Sequence, residues 1–310
     1  MIITLTPNPA LDLTYHLDRF DVGVSQRVPP AQMRAGGKGI NVARVLHGQA
    51  HPVHVIAPTG GVTGASVTAD LDAAGLPYTV LPVAATTRTT VAIATPEATT
   101  NLNESGHPLR PSDWDALVDL VATALAASPE QGRVLVCSGS MPPDTPADAV
   151  ARIVETAHRH RALSIVDTSG PQLLGAADAG ADVLKPNHHE LLAVIGRPDG
   201  DIRRAARRLA ARSGGVVYAS LGPDGILRVA AAGPVLHARL GRALSGNTTG
   251  AGDAAVAAIA SGVASDGAAE DVLRTATAWS AAAVLHPLAG SLTDPEPLLA
   301  EITVTTLEED

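Results

Sequence analysis

Aromatic side chains are almost missing from this sequence. Phe, Tyr and Trp together make 2% of 310 residues, so any core must be built from Ala, Val, Leu and Ile. Cysteine is as scarce: the one thiol, Cys137, excludes an intrachain disulfide framework and fits a reducing cytoplasm. No run approaches the ~20 apolar residues of a membrane span. The first residues, MIITLTPNPALD, lack the basic and long apolar regions of a secretory signal and read as a first core strand. Positive charge is also in deficit. A net charge of -9 leaves no Lys/Arg footprint for nucleic acid, so a protein of this charge that binds anions must gather its cations locally. Basic residues beside glycine turns are therefore the ones to follow.

What is present is an ordinary globular composition, 45% hydrophobic, in a chain long enough to bury roughly three quarters of its unfolded surface. From about residue 133 short apolar runs alternate with helical stretches. RVLVCSG (133–139), ALSIVDT (162–168), ADVLKPN (181–187) and GGVVYAS (214–220) read as strands. Helices near 146–160, from about Asn187 and over 201–213 separate them. That alternation predicts a parallel sheet covered on both faces, a doubly wound α/β fold. Strands near 225–230 and 234–239 form a hairpin, and Ala-rich helices follow near 250–264 and 268–285. The first third differs. LDLTYHLDRF (11–20), QRVPPAQMR (26–34), TRTTVAIA (87–94) and ATTNLN (98–103) mix polar and apolar residues and are too polar for central strands. They predict a small β-sheet lid, drawn from about 11–34 and 87–104, on a single domain spanning 1–310. The acidic tail, Leu307 to Asp310, reads as a solvated end.

Two glycine motifs carry chemistry. Asn247-Thr248-Thr249-Gly250-Ala251-Gly252-Asp253 opens an Ala-rich helix. Small residues let the backbone approach a ligand, and the free N–H groups of Gly250, Ala251 and Gly252 at a positive dipole end make an anion site. Asp253 stands beside it, where a carboxylate can take a proton from an attacking hydroxyl. Alone, the pattern is equally a glycine turn with a capping aspartate. Gly36-Gly37-Lys38-Gly39-Ile40-Asn41 opens a second helix. Lys38 is a point charge suited to phosphate, yet the motif lacks the GK[ST] ending of a Walker A loop. By itself it is equally a strand-to-helix turn with a solvated lysine.

Together these motifs resemble the ribokinase-like sugar kinases, the phosphofructokinase B family, and the resemblance spans the chain. NTTGAGDAAVAAIA (247–260) matches that family's C-terminal signature, and GGKGINVA its N-terminal one, with Ala50 where Gly or Ser is usual. TPNPALD, SGSMPP (138–143) and KPNHHEL (185–191) resemble the hexose-phosphate branch, which contains 1-phosphofructokinase and tagatose-6-phosphate kinase. Serine usually follows the catalytic aspartate, where this chain has Ala254, and Asn247 stands where Ser or Lys is frequent.

The resemblance implies roles. Asp253 would be the base, with Gly250, Ala251 and Gly252 as the anion hole. Asp12, Gly37 and Asn41 would bind sugar hydroxyls. Lys38, Arg88 and Ser138, with Arg27 from the lid, would surround the acceptor's phosphate. Lys185, Asn187, Ser220, Gly222 and Gly225 would lie along ATP, and Asn187 with Glu190 would order a Mg2+ shell largely through water. The acceptor expected first is fructose 1-phosphate, giving fructose 1,6-bisphosphate, and next tagatose 6-phosphate, the TNLNESG segment (100–106) resembling the 1-phosphofructokinases. A neutral-sugar or nucleoside kinase would leave Lys38 and Arg88 without an anionic partner. In a different class, a non-catalytic sugar-phosphate sensor, the base or the metal shell would be missing, whereas Asp253, Asn187 and Glu190 are all present. His188 and His189 as metal ligands lack a third ligand at zinc spacing. A dimer is an expectation drawn from the lid sheet, whose exposed apolar face could pair with another subunit's lid.

Overall fold

The computed structural model describes residues 1–196 and 201–307. In chain order, β1 (Ile2–Leu5), β2 (Ala10–His16) and β3 (Gln32–Gly36) lead into α1 (Lys38–Gly48). There follow β4 (Val53–Thr59), α2 (Gly61–Ala73), β5 (Tyr78–Pro82), β6 (Arg88–Ala94), β7 (Thr99–Asn103) and α3 (Pro111–Ala127). Strand and helix then alternate through β8 (Val134–Ser138), α4 (Ala149–Arg159), β9 (Leu163–Asp167), α5 (Pro171–Asp178) and β10 (Val183–Leu184). After α6 (His188–Ile195), α7 (Ile202–Ser213) and β11 (Val216–Ser220), a 3-10 turn at Gly222–Asp224 leads to β12 (Ile226–Ala230) and β13 (Val235–Leu240). The described chain closes with α8 (Ala251–Ala264), α9 (Ala269–Val284), α10 (Glu296–Leu299) and β14 (Ile302–Leu307).

The alternation produces the doubly wound sheet it predicts. Ten strands run in the order β14-β13-β12-β11-β10-β9-β8-β1-β4-β5. From β5 to β11 the neighbours are parallel, and β12, β13 and β14 add an antiparallel edge. From β1 the chain first builds outward to β4 and β5, then returns to β8 on the other side. Loops at the carboxyl ends of β1 and β8 therefore diverge, which opens a crevice at that edge.

Strand period decides the two cores. Ile2, Val53, Val55, Val134 and Val136 point to the face covered by α1, α2, α8 and α9. Their neighbours Ile3, Leu5, Leu135 and Cys137 point to the face covered by α3, α4, α5 and α7. The two tryptophans divide between the faces, Trp279 in the first and Trp114 in the second. Lack of aromatics is met by close helix approach. Ala254, Ala255, Ala257, Ala258 and Ala260 of α8 are buried against Ala-rich α9, where a small side chain costs little rotamer entropy.

A second, four-stranded sheet has the order β3-β2-β6-β7, built from the two stretches whose polar mixing set them apart. Register explains the mixing. Arg34, Asp12, Thr90 and Asn103 lie opposite one another in one row, and Met33, Leu13, Val91 and Leu102 in the next. Rows one residue apart face opposite sides of a sheet. The polar row turns toward the crevice, while Met33 is 63% and Leu102 58% exposed on the other face.

Asp12 sits inside β2, in the 11–20 stretch read as a strand. Two expectations change. The 26–34 segment is a strand only from Gln32, since Pro29 and Pro30 offer no N–H to a ladder. The chain end is not simply solvated: Ile302–Leu307 pairs along all of β13, while the acidic residues 308–310 lie outside the described residues. Among the described residues no helix is long and apolar enough to cross a membrane.

Ala50 has a structural consequence. The amides of Ala50 and His51 bond the carbonyls of His47 and Leu46, the paired bonds of a Schellman helix end, which place Ala50 at φ 59. Glycine takes that conformation without the Cβ penalty of about 1–2 kcal/mol, offset in part by its looser unfolded chain. Ala50→Gly should therefore stabilise by about 0.5–1 kcal/mol, a Tm rise of roughly 2 °C for a chain of this size. Calorimetry showing no rise would mean that the left-handed turn carries no strain.

Candidate active site

The crevice is a cleft of about 1080 Å³ between the carboxyl edge of the large sheet and the polar face of the small one. Parallel strands that all end at one edge deliver their last residues to one place. β8 ends at Ser138, β9 at Asp167 and β11 at Ser220, with Lys185 directly after β10.

The N-terminus of α8 forms one wall. Gly250 caps it at φ 86, a left-handed residue that only glycine adopts at no steric cost. The Ala251 amide donates to the Thr248 carbonyl at 3.3 Å, so the next amides, of Gly252 and Asp253, are the ones the helix start leaves for an anion. Gly252 admits a close neighbour: a Cβ there would lie 3.5 Å from Lys185 Nζ. Lys185 is itself buried, 3% exposed. A buried ammonium, paired with Asp167 at 3.6 Å, thus stands over a dipole-positive helix end, an arrangement that favours an incoming anion.

Asp253 lies in the first turn of α8, 5% exposed. Asn41 Nδ2 donates to its Oδ2 at 2.8 Å. Burial pushes the Asp253 carboxyl up to about 6; Lys38 draws it back and Asp167 repels it. It is a carboxylate just above the pH at which it would be protonated, suited to accepting a proton near neutrality.

Asp167 is the group the sequence reading missed. It is fully buried and receives Lys38 Nζ at 3.3 and 3.4 Å, Lys185 Nζ at 3.6 Å and the Ser138 hydroxyl at 3.2 Å. Burial alone would raise its carboxyl, but Lys185 and Lys38 outweigh that and hold it below the usual range. Lys38 in turn is raised by Asp167, against its own burial, with further help from Asp253 and Glu190. Glu190 Oε1 is 4.0 Å away from it. The only sequence signal for Asp167 was its place at the end of a predicted strand, where α/β folds put functional groups.

Several expected residues are thereby reassigned. Ser138 does not face the cleft: it pairs with Asp167 across parallel strands and is fully buried. Ser140 lines the cleft instead. Lys38 belongs to the carboxylate cluster rather than to an end remote from Asp253. The Asn41 amide is spent on Asp253, so Asn41 positions the carboxylate before it offers anything to a sugar. Arg27 is exposed in the irregular stretch before β3 and is not among the residues lining the cleft. Gly37 lines the cleft at the start of α1, with φ 104.

The small sheet supplies the far end. Asp12 accepts the Thr90 hydroxyl at 2.6 Å, and burial raises its carboxyl against the pull of Arg88, Arg34 and Arg44. Arg88 donates to the carbonyls of Glu104 at 2.8 Å and Asn8 at 3.2 Å, which fixes its guanidinium while leaving N–H groups open to the cleft. Arg34, opposite Asp12, was not expected and also lines the cleft. At the other end lie Ser220, Gly222 and Gly225 with the apolar side chains of Ile226, Leu240 and Leu244.

Asn187 and Glu190 form a reciprocal helix cap: Asn187 Oδ1 accepts the Glu190 amide at 2.9 Å, and Glu190 Oε2 accepts the Asn187 amide at 2.8 Å. Glu190 Oε1 remains for a cation. One carboxylate oxygen fits Mg2+, which keeps most of its waters. The His188 and His189 rings stack at 3.8 Å, so neighbouring side chains at a helix start do meet. Among the described residues no group of three His, Cys, Asp or Glu side chains could hold a metal ion. Burial pushes the Cys137 thiol up to about 12, which leaves it un-ionised and inert.

A hydroxyl seated on Asp253 would face the open amides at the start of α8, the geometry of phosphoryl transfer to an alcohol. On a doubly wound sheet, this is the arrangement expected of a phosphotransferase acting on an alcohol. Comparison with known proteins narrows the class. The chain belongs to the pfkB family of carbohydrate kinases, whose model matches residues 6–296. It is 35% identical over 314 residues to the 1-phosphofructokinase of Rhodobacter capsulatus, covering 99% of this chain and 98% of that one. It is 33% identical over 302 residues to the ATP-dependent 6-phosphofructokinase isozyme 2 of Mycobacterium tuberculosis, covering 92% and 84%. Phosphofructokinase-2 from Escherichia coli in complex with fructose-6-phosphate superposes with a TM-score of 0.86 at 27% identity, over 96% of this chain and 98% of that one.

If Asp253 is the base, kcat/KM should fall as pH drops through about 6, where the carboxylate takes up its proton. Stability has the opposite sign. The folded value lies above the ordinary one, so the stabilisation this group gives is complete below pH ~4 and lost as pH rises to ~6. Asp253→Asn should therefore lower turnover by orders of magnitude while leaving the neutral-pH Tm unchanged or higher. Turnover within a few-fold of wild type, or an acid limb that survives the substitution, would remove Asp253 from the role.

Proposed function

We propose that the protein transfers the γ-phosphoryl group of MgATP to a ketohexose phosphate, with fructose 1-phosphate as acceptor and fructose 1,6-bisphosphate as product. The observation that carries this reading is the Asp253 carboxylate, buried, poised near neutrality and adjacent to a helix start crowned by a buried lysine. The acceptor follows from the relatives named 1-phosphofructokinase and from the cation Arg88 at the far end of the cleft.

The acceptor hydroxyl lies on Asp253, which Asn41 holds in register, and gives its proton to Oδ as the new O–P bond forms and the bond between the γ-phosphorus and the β,γ-bridging oxygen breaks, releasing ADP. The amides of Gly252 and Asp253 receive the charge on the transferred group, and Lys185 neutralises it from above. Lys38 balances the carboxylates around the reacting centre. Glu190, fixed by its cap with Asn187, would hold Mg2+ through water, and that ion supplies charge neutralisation between the nucleotide phosphates. Ser220, Gly222 and Gly225 flank the nucleotide, its base lying on the apolar wall of Ile226 and Leu244. Asp12 takes sugar hydroxyls and Arg88 the acceptor's phosphate, bidentately. The small sheet acts as the lid: closed, it excludes water and limits ATP hydrolysis.

The outward row Met33, Leu13, Val91 and Leu102 suits the lid of a second copy, so a homodimer through the lids belongs to this reading. Light scattering that gives a monomer mass at micromolar concentration would remove it. A lone buried thiol and use of ATP fit a cytoplasmic setting.

A second acceptor, fructose 6-phosphate, is favoured by the phosphofructokinase-2 neighbour and yields the same product. ADP release over fructose 1-phosphate, fructose 6-phosphate, tagatose 6-phosphate, fructose and a nucleoside separates the readings. The expected order places fructose 1-phosphate first. Tight sugar-phosphate binding with no ADP from any acceptor would make the protein a sensor. Arg88→Ala should raise KM for the sugar phosphate by about 10–100-fold, the loss of one charge-assisted pair, with little effect on a neutral sugar. Equal losses on both would mean that Arg88 only holds the loops of Asn8 and Glu104.

A further inference from the structure

Arg34 is a cleft cation that the proposed reaction leaves without a defined task. It lies on β3, the edge strand of the lid, which pairs only with β2. An edge strand has one side to anchor, and two groups anchor this one. The Ala35 amide donates to Asp70 Oδ2 at 2.7 Å, and Asp70 is also paired with Arg44 of α1. The Arg34 guanidinium reaches across to the loop after α9, donating from Nη1 to the Ala289 carbonyl at 2.9 Å and from Nη2 to Ser291 Oγ at 3.1 Å.

That loop is wedged behind the anion turn. A Cβ on Gly250 would come within 2.9 Å of Ala289 Cα, and one on Gly290 within 3.1 Å of both Asn41 Oδ1 and Arg44 Cδ. Asn247 closes the far side, its Nδ2 donating to the Pro287 carbonyl at 2.9 Å. The loop therefore touches the residue that caps α8 and the residue that holds Asp253, with no slack for a side chain at either point. Whatever shifts this loop shifts the amides that receive the transferred group.

We propose that Arg34 is a positioning residue that couples the lid to the anion turn: its two-pronged grip on Ala289 and Ser291 ties β3 to the loop that backs Gly250, so that seating the lid and setting the phosphoryl-binding amides are one event. The proposal rests on the kinase reading above. Burial of the guanidinium, with repulsion from Arg44, lowers its proton affinity, and the carboxylates of Asp70 and Asp12 offset this in part. A lysine, a single point charge, could make one of these contacts and not both.

The test compares wild type with Arg34→Met, Arg34→Lys and Ser291→Ala, using fructose 1-phosphate and ATP, together with amide hydrogen exchange of the 246–252 and 286–291 segments. Displacing the amides by ~1 Å costs up to ~100-fold. Arg34→Met should therefore lower kcat by about 10–100-fold while KM for the sugar phosphate moves less than about threefold. Ser291→Ala, which leaves the guanidinium and the fold intact, should move kcat the same way by a smaller factor, and Arg34→Lys should recover only part of the loss. Exchange at 246–252 should quicken in Arg34→Met although the substitution lies in the other sheet.

A kcat within about twofold of wild type overturns the proposal, as does a tenfold or greater rise in KM at unchanged kcat, which would make Arg34 an acceptor ligand. Unchanged exchange at 246–252 also overturns it. Should wild type release no ADP with any acceptor, the kinase reading fails on its own, and the exchange measurement still decides whether Arg34 holds the turn.

Discussion

The structure depends on two buried carboxylates sharing two ammonium groups at the carboxyl edge of the large sheet. Asp253 and Asp167 are 5% and 0% exposed, and either alone would resist ionisation so far from water. Lys38 and Lys185 make ionisation tolerable, but unequally. Asp167 touches both lysines and stays charged, whereas Asp253 has one amide hydrogen bond and only the more distant field of the lysines. One carboxylate is paired and held ionised, while the other is raised toward neutrality, through environment alone.

The rest of the fold can be understood as support for that inequality. A parallel sheet ends its strands at one edge, which is how Ser138, Asp167 and Lys185 meet although they come from different strands. Alanine-rich α8 and α9 pack closely because they carry little bulk, and this fixes the start of α8 against the loop after α9. The lid has a different design: polar residues in one row, apolar ones in the next, with its edge strand tied to the body by Asp70 and Arg34. A sheet with so little core of its own takes its position from such ties, which suits the lid role proposed for it.

Much of this was legible in the sequence. Element order from β8 to α9 followed from apolar runs and helical periodicity, because those patterns are local. The turns at Gly37 and Gly250 could be placed for the same reason, since clustered glycines before a helical run mark a strand-to-helix turn. The polar and apolar mixture of 26–34 hides that its two prolines confine the strand to Gln32 onward, and β14 is hidden because an edge strand carries only a weak alternating pattern.

Side-chain direction was not legible. Asn41 meets Asp253 across 212 residues, Lys38 meets Asp167 across 129, and Arg34 meets Ala289 across 255. Which of Ser138 and Ser140 faces the cleft turns on the pairing of β8 with β9, not on any motif. The sequence by itself determined the fold class, the two helix starts and the carboxylate between them, because backbone preference and hydrophobic period act over a few residues. Only the tertiary structure decided which carboxylate is paired and which is left reactive, because charge and burial act through space between segments that the chain brings together last.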